Sequence, residues 1–576
     1  MKYIYKLGII FLTIFALGSC MDLDINTDPD SPTSTSGSIA TRVPAIQFWM
    51  GQTYQCAGFF GSLINQQITL SNRGDRYGSL AEWTGNDRSA STYPYQAFFV
   101  GAAGTFPDLY VMAEKEGAYH YMGVVKLFRA WGFITLLDVY GEMPYTEALG
   151  AEINPKYDDG KTIFEGCLLE LDEAIELFKK QQDAEATPLA AGDSWNGGDI
   201  NKWIKMCYGL KARWLNNLSK KSSLYDPAAI LEALANAPQS NADNTIINHQ
   251  NRDGYNIDNL WGDPVFMSYM WIWLSNWSRT YYVTKWYADL LTDFDGKGIV
   301  DPRANKLIPS VQVGGADKYW LRTSGVDMQS DIRLGTNWVS PATYEPETKL
   351  WTEEAQRDSA VISLQASSVA SNFRDVATDG TIINSGTFYS RPESPSHLLC
   401  YPEMCFIKAE ALFRQNKTTE AYQAYKDGIQ AHMELMNEKL REFDNSDNIA
   451  KTPISQADIA TYLNSEAVGT AGNLTLGKIM MQKFIALSFS LQNWNDMRRM
   501  DYSSTIYKGW AEPYERTSGA NDRRFIPEGK QFRRLGYVSH EYNYNQANLK
   551  DSHPSALLDD IFSFPVWWDY AGDDYK

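Results

Sequence analysis

The residue with the most definite chemistry in this sequence is Cys20. It closes the run Leu17-Gly18-Ser19-Cys20, in which small residues admit a peptidase and the Cys thiol is the nucleophile that takes a diacylglyceryl group before cleavage. Ahead of it, Lys2 and Lys6 precede the apolar run Leu7 to Leu17, which has signal-peptide length and is too short to cross a bilayer as a permanent helix. Residues 1–19 are therefore expected to be a lipoprotein signal peptide, with Cys20 the acylated first residue of the mature chain. Each buried methylene contributes about 0.8 kcal/mol, so several acyl chains on one Cys hold a water-soluble body at a membrane without a spanning helix.

Other constellations that do chemistry are incomplete here. Asp22, Asp24 and Asn26 have the alternating oxygen spacing that opens a calcium loop, but Thr27 stands where the sixth-position Gly belongs and Thr33 where the twelfth-position Glu belongs. The Asp-rich stretch DFDGKGIVD at 293–301 fits no known cation loop and reads as a turn. GNLTLGKI at 472–479 begins like a phosphate loop, yet Ile479 follows Lys478 where magnesium binding needs Ser or Thr, and no strand precedes it. His120, His249, His397, His432, His540 and His553 are scattered, and no two Cys form a C-x-x-C pair. With 70 Asp and Glu residues, no acid/base dyad stands out. No catalytic residue, metal site or cofactor is assigned.

Composition narrows the partners. The chain has 576 residues and a formal charge of 52 minus 70, or −18, so its field repels phosphate backbones and nucleic acid is not an expected partner. Charged residues are 21% and aromatics 13%, a balance that favours a packed globule with aromatic surface to spare over disorder. No segment after the leader offers eighteen consecutive apolar residues.

The elements that must position any site read as mostly α-helical. Residues 20–45, rich in Asp, Pro, Ser, Thr and Gly, are expected to be a flexible tether, and 46–576 a single body. Residues 118–180 predict a helical hairpin. Its first helix is apolar nearly all round and ends at Gly141 and Pro144; its partner carries Phe164, Cys167, Leu168, Leu171, Ile175 and Phe178 at three- and four-residue steps. Further pairs are predicted over 203–237, 402–440 and 474–500, with small residues such as Ala409 and Ala411 at crossings, in the manner of tetratricopeptide pairs. Residues 46–117 and the insertion 238–400 read as loop-rich, and binding residues usually sit on loops held by rigid elements.

Six segments carry a family resemblance in order: DLDINTDPDSPT, KLFRAWGFITLLDVYGEMPYTEAL, IVDPRANKL, YPEMCFIKAEALFR, KIMMQKFIALSFSLQNWNDMRRM and RRLGYVSHEYNYNQANL. Behind the Cys20 signal they resemble the SusD/RagB family of Bacteroidota outer-membrane lipoproteins, in a SusD-like branch where Trp494, Asp496, Arg498 and Arg499 close the fourth helix pair. The resemblance spans nearly the whole chain. It implies one mostly α-helical body with four tetratricopeptide-like pairs and a loop-rich insertion, and no enzymatic activity. It also implies an outer-membrane, lipid-anchored position facing the cell exterior, as the lid over a SusC-like TonB-dependent transporter.

A sugar ring has an apolar C–H face and a rim of hydroxyls, so a carbohydrate site needs an exposed Trp or Tyr platform beside amide and carboxylate groups. In the starch-binding member of the family a Trp is followed three positions later by Asn, a spacing that Trp83 and Asn86 match. Tyr77 extends that platform, and Trp320 and Trp338 are insertion aromatics expected to be exposed. Trp131, Trp203 and Trp214 lie on helical apolar faces and are read as core. The expected ligand is an oligosaccharide. The same family contains peptide-capturing members, and a peptide site favours groups that pair with backbone over aromatic platforms. The remaining alternative is a helical scaffold that serves protein contacts only.

Overall fold

In the computed structural model the described residues are 37–70, 78–84, 92–249, 281–313, 319–329, 344–345, 350–351, 385–391, 394–443, 447–513, 526–527 and 529–576. Helices dominate them, and the four predicted pairs are present. The first is α2 (Tyr119–Tyr140) against α3 (Gly160–Lys179). The second is α4 (Ile200–Asn217) with α5 (Pro227–Asn236), the third α6 (Tyr401–Arg414) with α7 (Thr418–Phe443), and the fourth α8 (Leu476–Ala486) with α9 (Leu491–Arg499).

Local chemistry starts these helices where the pattern places them. Asp159 accepts from the Thr162 N–H at 2.9 Å ahead of α3, Asp199 from Asn201 N–H ahead of α4, and Asp226 from Ala228 N–H ahead of α5, whose first residue is Pro227. The stripe Ile163, Phe164, Cys167, Leu171, Ile175 and Phe178 is buried against α2, which is itself buried on nearly every side. Trp131, Trp203 and Trp214 are core residues, as are Ala409 and Ala411. Backbones approach closely where side chains vanish: a Cβ on Gly132 of α2 would fall 1.9 Å from the Phe98 ring.

The N-terminal boundary departs from the sequence reading. A 26-residue helix, α1 (Ile39–Ile64), occupies part of the expected tether and of the region read as loops, so residues 39–45 belong to the body. The same region adds a π-helical segment, Ala97–Ala102, and a helix over Phe106–Lys115. Helix α1 is buried on almost all sides, so its apolar residues show no one-sided period, and Pro44 inside it reads as a breaker. Pro44 has no N–H for the carbonyl of Ala40; a Cβ on Gly192 would fall 2.2 Å from that oxygen, so the backbone there packs where only Gly fits.

The insertion is closed at its root. Strand β2 (Thr245–Ile247) pairs antiparallel with β8 (Ser396–Leu399), with His397 opposite Ile246. Between them β3 (Tyr281–Val283) pairs with β1 (Ile68–Leu70) beside α1, and a four-stranded sheet has the order β5 (Tyr319–Arg322), β4 (Ser310–Val313), β7 (Leu350–Trp351), β6 (Tyr344–Glu345).

Candidate functional site

The C-terminus of α1 organises the region that holds the candidate site residues. The carbonyl of the last helical residue and those of the three residues after it are each met by a donor from elsewhere. Ile64 O accepts from Trp83 Nε1 at 2.9 Å, Asn65 O from Trp510 Nε1 at 3.2 Å, Gln66 O from Thr284 Oγ1 at 2.5 Å, and Gln67 O from the Thr284 N–H at 3.2 Å. Gln66 Nε2 and Gln329 Nε2 then converge on Ala511 O, at 2.8 and 3.0 Å. One hub therefore ties together residues 64–70, 78–84, 281–284, 329 and 510–511. Tyr77, Asn86 and Trp338 lie outside the described residues.

Trp83 is not an exposed platform. It is 1% exposed, and its ring meets those of Tyr502, Trp510 and Phe532 at centroid distances of 5.3, 5.8 and 6.1 Å. Its backbone takes φ 56° directly after the short helix Gly78–Ala81, an uncommon conformation for a bulky residue that turns the indole inward under the chain. The Trp-to-Asn spacing carries no information about that turn, which is why the sequence placed the ring on the wrong side of its own loop. Trp320 stands on the edge strand β5 opposite Gln312 and is half-buried, while its neighbour Tyr319 is 40% exposed. The structure brings Trp83 to the α1 hub and leaves Trp320 on a separate sheet edge.

The segment closing the fourth pair is a buried charge lattice. Arg499 makes two bonds to Glu410 of α6, at 2.5 and 2.6 Å, and a third to Asp496, whose other oxygen is 2.9 Å from Lys483 Nζ. Burial alone would raise the Glu410 carboxyl; the Arg499 guanidinium outweighs it and holds the group well below the usual carboxylate range. Trp494 is fully buried and Arg498 lies over its ring, so these family-like residues join helices and do not face solvent. The Asp293–Asp301 stretch is a turn, as expected: Asp293 accepts from the Gly298 N–H, and Asp295 pairs with Lys508 at 3.3 Å and Lys478 at 3.6 Å.

Sequence reasoning missed a buried polar chain rooted in the DPR phrase. Arg303 forks onto Asp301 and reaches Gln482 of α8 and His432 of α7; His432 and His397 both reach Tyr389. The only local signal was the adjacent Asp and Arg around Pro302. Among the described residues no group of three or more His, Cys, Asp or Glu is placed to hold a metal, and no helix is long and apolar enough to cross a membrane.

The SusD-like profile described as starch-binding and associating with outer membrane matches residues 70–331 and 349–527. A SusD/RagB family protein from Bacteroides thetaiotaomicron superposes with a TM-score of 0.67 at 17% identity, covering 93% of this chain and 100% of that one. A chitin-binding protein gives 0.64 at 19%, covering 92% and 100%, and a SusD homologue from Bacteroides fragilis 0.60 at 18%, covering 92% and 99%. These likenesses show a shared fold. No protein with curated annotation matches the sequence.

Proposed function

This chain belongs to the SusD-like family of outer-membrane-associated nutrient-binding proteins, and from that premise we propose that it is a cell-surface lipoprotein that captures oligosaccharides and delivers them to a SusC-like TonB-dependent transporter. The observation that carries this reading is the profile match, which runs through both the helix pairs and the insertion. In this reading the protein binds and does no covalent chemistry. Cys20, acylated behind a signal peptide of residues 1–19, anchors the body to the outer membrane.

The ligand contacts are proposed at Tyr77, Asn86 and Trp338, with Trp320 as a flanking aromatic. Trp83 drops out as a platform, because its ring is buried. The fold shared with a chitin-binding protein adds β-linked amino-sugar oligomers to the glycans worth testing.

Calorimetric titration of the protein against plant, algal and host oligosaccharides, chitin oligomers and a mixed peptide pool tests this proposal. A response to one glycan at micromolar to millimolar Kd, about −8 to −4 kcal/mol, is the expected outcome. A response to peptides with none to glycans overturns the oligosaccharide reading in favour of an oligopeptide-capturing member.

A further inference from the structure

The buried chain Arg303, His432, Tyr389, His397 has a direction that its first member dictates. Guanidinium groups only donate hydrogen bonds, so His432 Nδ1, 3.1 Å from Arg303 Nη1, must accept. Burial, reinforced by the neighbouring Arg303 charge, pushes the His432 pKa well down, so the ring is neutral and its single proton sits on Nε2. That proton points to Tyr389 Oη at 3.4 Å, which leaves the tyrosine hydroxyl proton free to be donated to His397 Nδ1 at 3.3 Å. Burial pushes His397 down to about 4, so this ring is neutral too, and with Nδ1 accepting from Tyr389 its one proton is on Nε2. Among the described residues no group accepts from that Nε2, which is itself buried.

His397 lines a cleft of about 50 Å³ between α1, β8 and the turn from α8 to α9, with Tyr54, Arg213, Ser396, Glu403, Ser488 and Ser490 also on its walls. A water needs at least about 10–15 Å³ of such space and two to four polar partners, so the cleft has room for about three to five waters. Its hydroxyls are already engaged from one side: Tyr54 Oη with Ser490 Oγ at 3.0 Å, and Ser396 Oγ with His249 Nε2 at 2.8 Å. Each keeps a lone pair for a further donor.

We propose that this cleft is a binding site for a small cluster of ordered water, held by the Nε2–H of His397 and bridging the insertion strand β8 to the helical scaffold, with Arg303 setting the donor direction through His432 and Tyr389. The site is independent of any nutrient ligand. It makes the root of the insertion a hydrogen-bonded seam in which every donor is aimed from the DPR phrase outward.

Two measurements on the full chain test this, and neither needs a variant that must fold. Long-range proton–nitrogen correlation of the histidine side chains, with selective ¹⁵N labelling, is expected to show His397 and His432 as neutral Nε2–H tautomers at pH 7. An Nδ1–H tautomer or a doubly protonated ring at either position overturns the proposal. A crystal structure at high resolution is expected to place a water within hydrogen-bond distance of His397 Nε2, and a dry cleft overturns it equally.

Discussion

Arg213 of α4 and Glu403 of α6 face each other across the second and third helix pairs, Nε to Oε1 at 2.7 Å and Nη2 to Oε2 at 2.6 Å, with both side chains almost wholly buried. Arg213 spends a further bond on Leu398 O, which draws strand β8 into the same contact. A planar guanidinium fork matches a carboxylate better than any lysine does, and the pairing fixes how two helix pairs and the insertion root sit together.

Removing one partner of this pair is expected to cost far more than removing both. Glu403→Ala leaves a buried, uncompensated guanidinium and should lower stability by about 3–5 kcal/mol, whereas Arg213→Met with Glu403→Leu should recover much of that loss. Denaturant unfolding of the two proteins measures the difference. Equal losses in the single and double variants would show that the charge pairing is unimportant.

Trp83 is expected to behave as a core residue. Trp83→Ala empties the space between Ile64, Tyr502, Trp510 and Phe532 and should cost about 3–5 kcal/mol, with Trp83→Phe costing less. Thermal melts beside a ligand titration separate the roles. If Trp83→Phe melts like the parent yet loses binding, Trp83 touches ligand after all.

Acid should destabilise the fold between about pH 6.5 and 5. Burial lowers His249 to about 3 and His397 and His553 to about 4, and takes His432 well below its ordinary value. Their folded pKa values lie below the unfolded one, so in this window the unfolded chain binds protons that the folded chain refuses, and stability falls as pH falls. Asp138 and Glu438 act in the opposite sense, because burial raises both, Asp138 to about 6 against Arg498, Asn495 and Trp568, but they are two groups against the four histidines named and His120, which burial also lowers. Melting temperatures from pH 7.5 to 5 should therefore decrease, and a flat or rising profile contradicts the neutral assignment of the buried histidines.

The membrane anchor has a direct chemical readout. Growth with labelled palmitate should mark the protein, and Cys20→Ala should abolish the label. Label that persists in the variant rules out Cys20 as the acylated residue.

The transporter partnership predicts a large contact, since obligate interfaces of this kind exceed about 2,000 Å². Mild crosslinking before detergent extraction should bring down a TonB-dependent barrel with this chain. Recovery of the chain alone under those conditions counts against the lid reading.

Much of the scaffold was legible without coordinates because amphipathic helices write their packing into their spacing. The stripe from Phe164 to Phe178 gives a helix and a buried face from local information alone. The same logic hid α1: a helix buried on all sides has no polar face to contrast with, and Pro44 disguised its first turns. The site was legible only as residue types. Which way Trp83 points depends on a left-handed turn and on a carbonyl at Ile64, nineteen residues earlier in the chain, and on three aromatic rings more than four hundred residues later. The proton positions on His397 and His432 depend likewise on Arg303, more than ninety residues away from either. Periodicity reports the contrast between two faces of one element, whereas direction, capping and protonation are set by contacts between elements, and those exist only once the chain has folded.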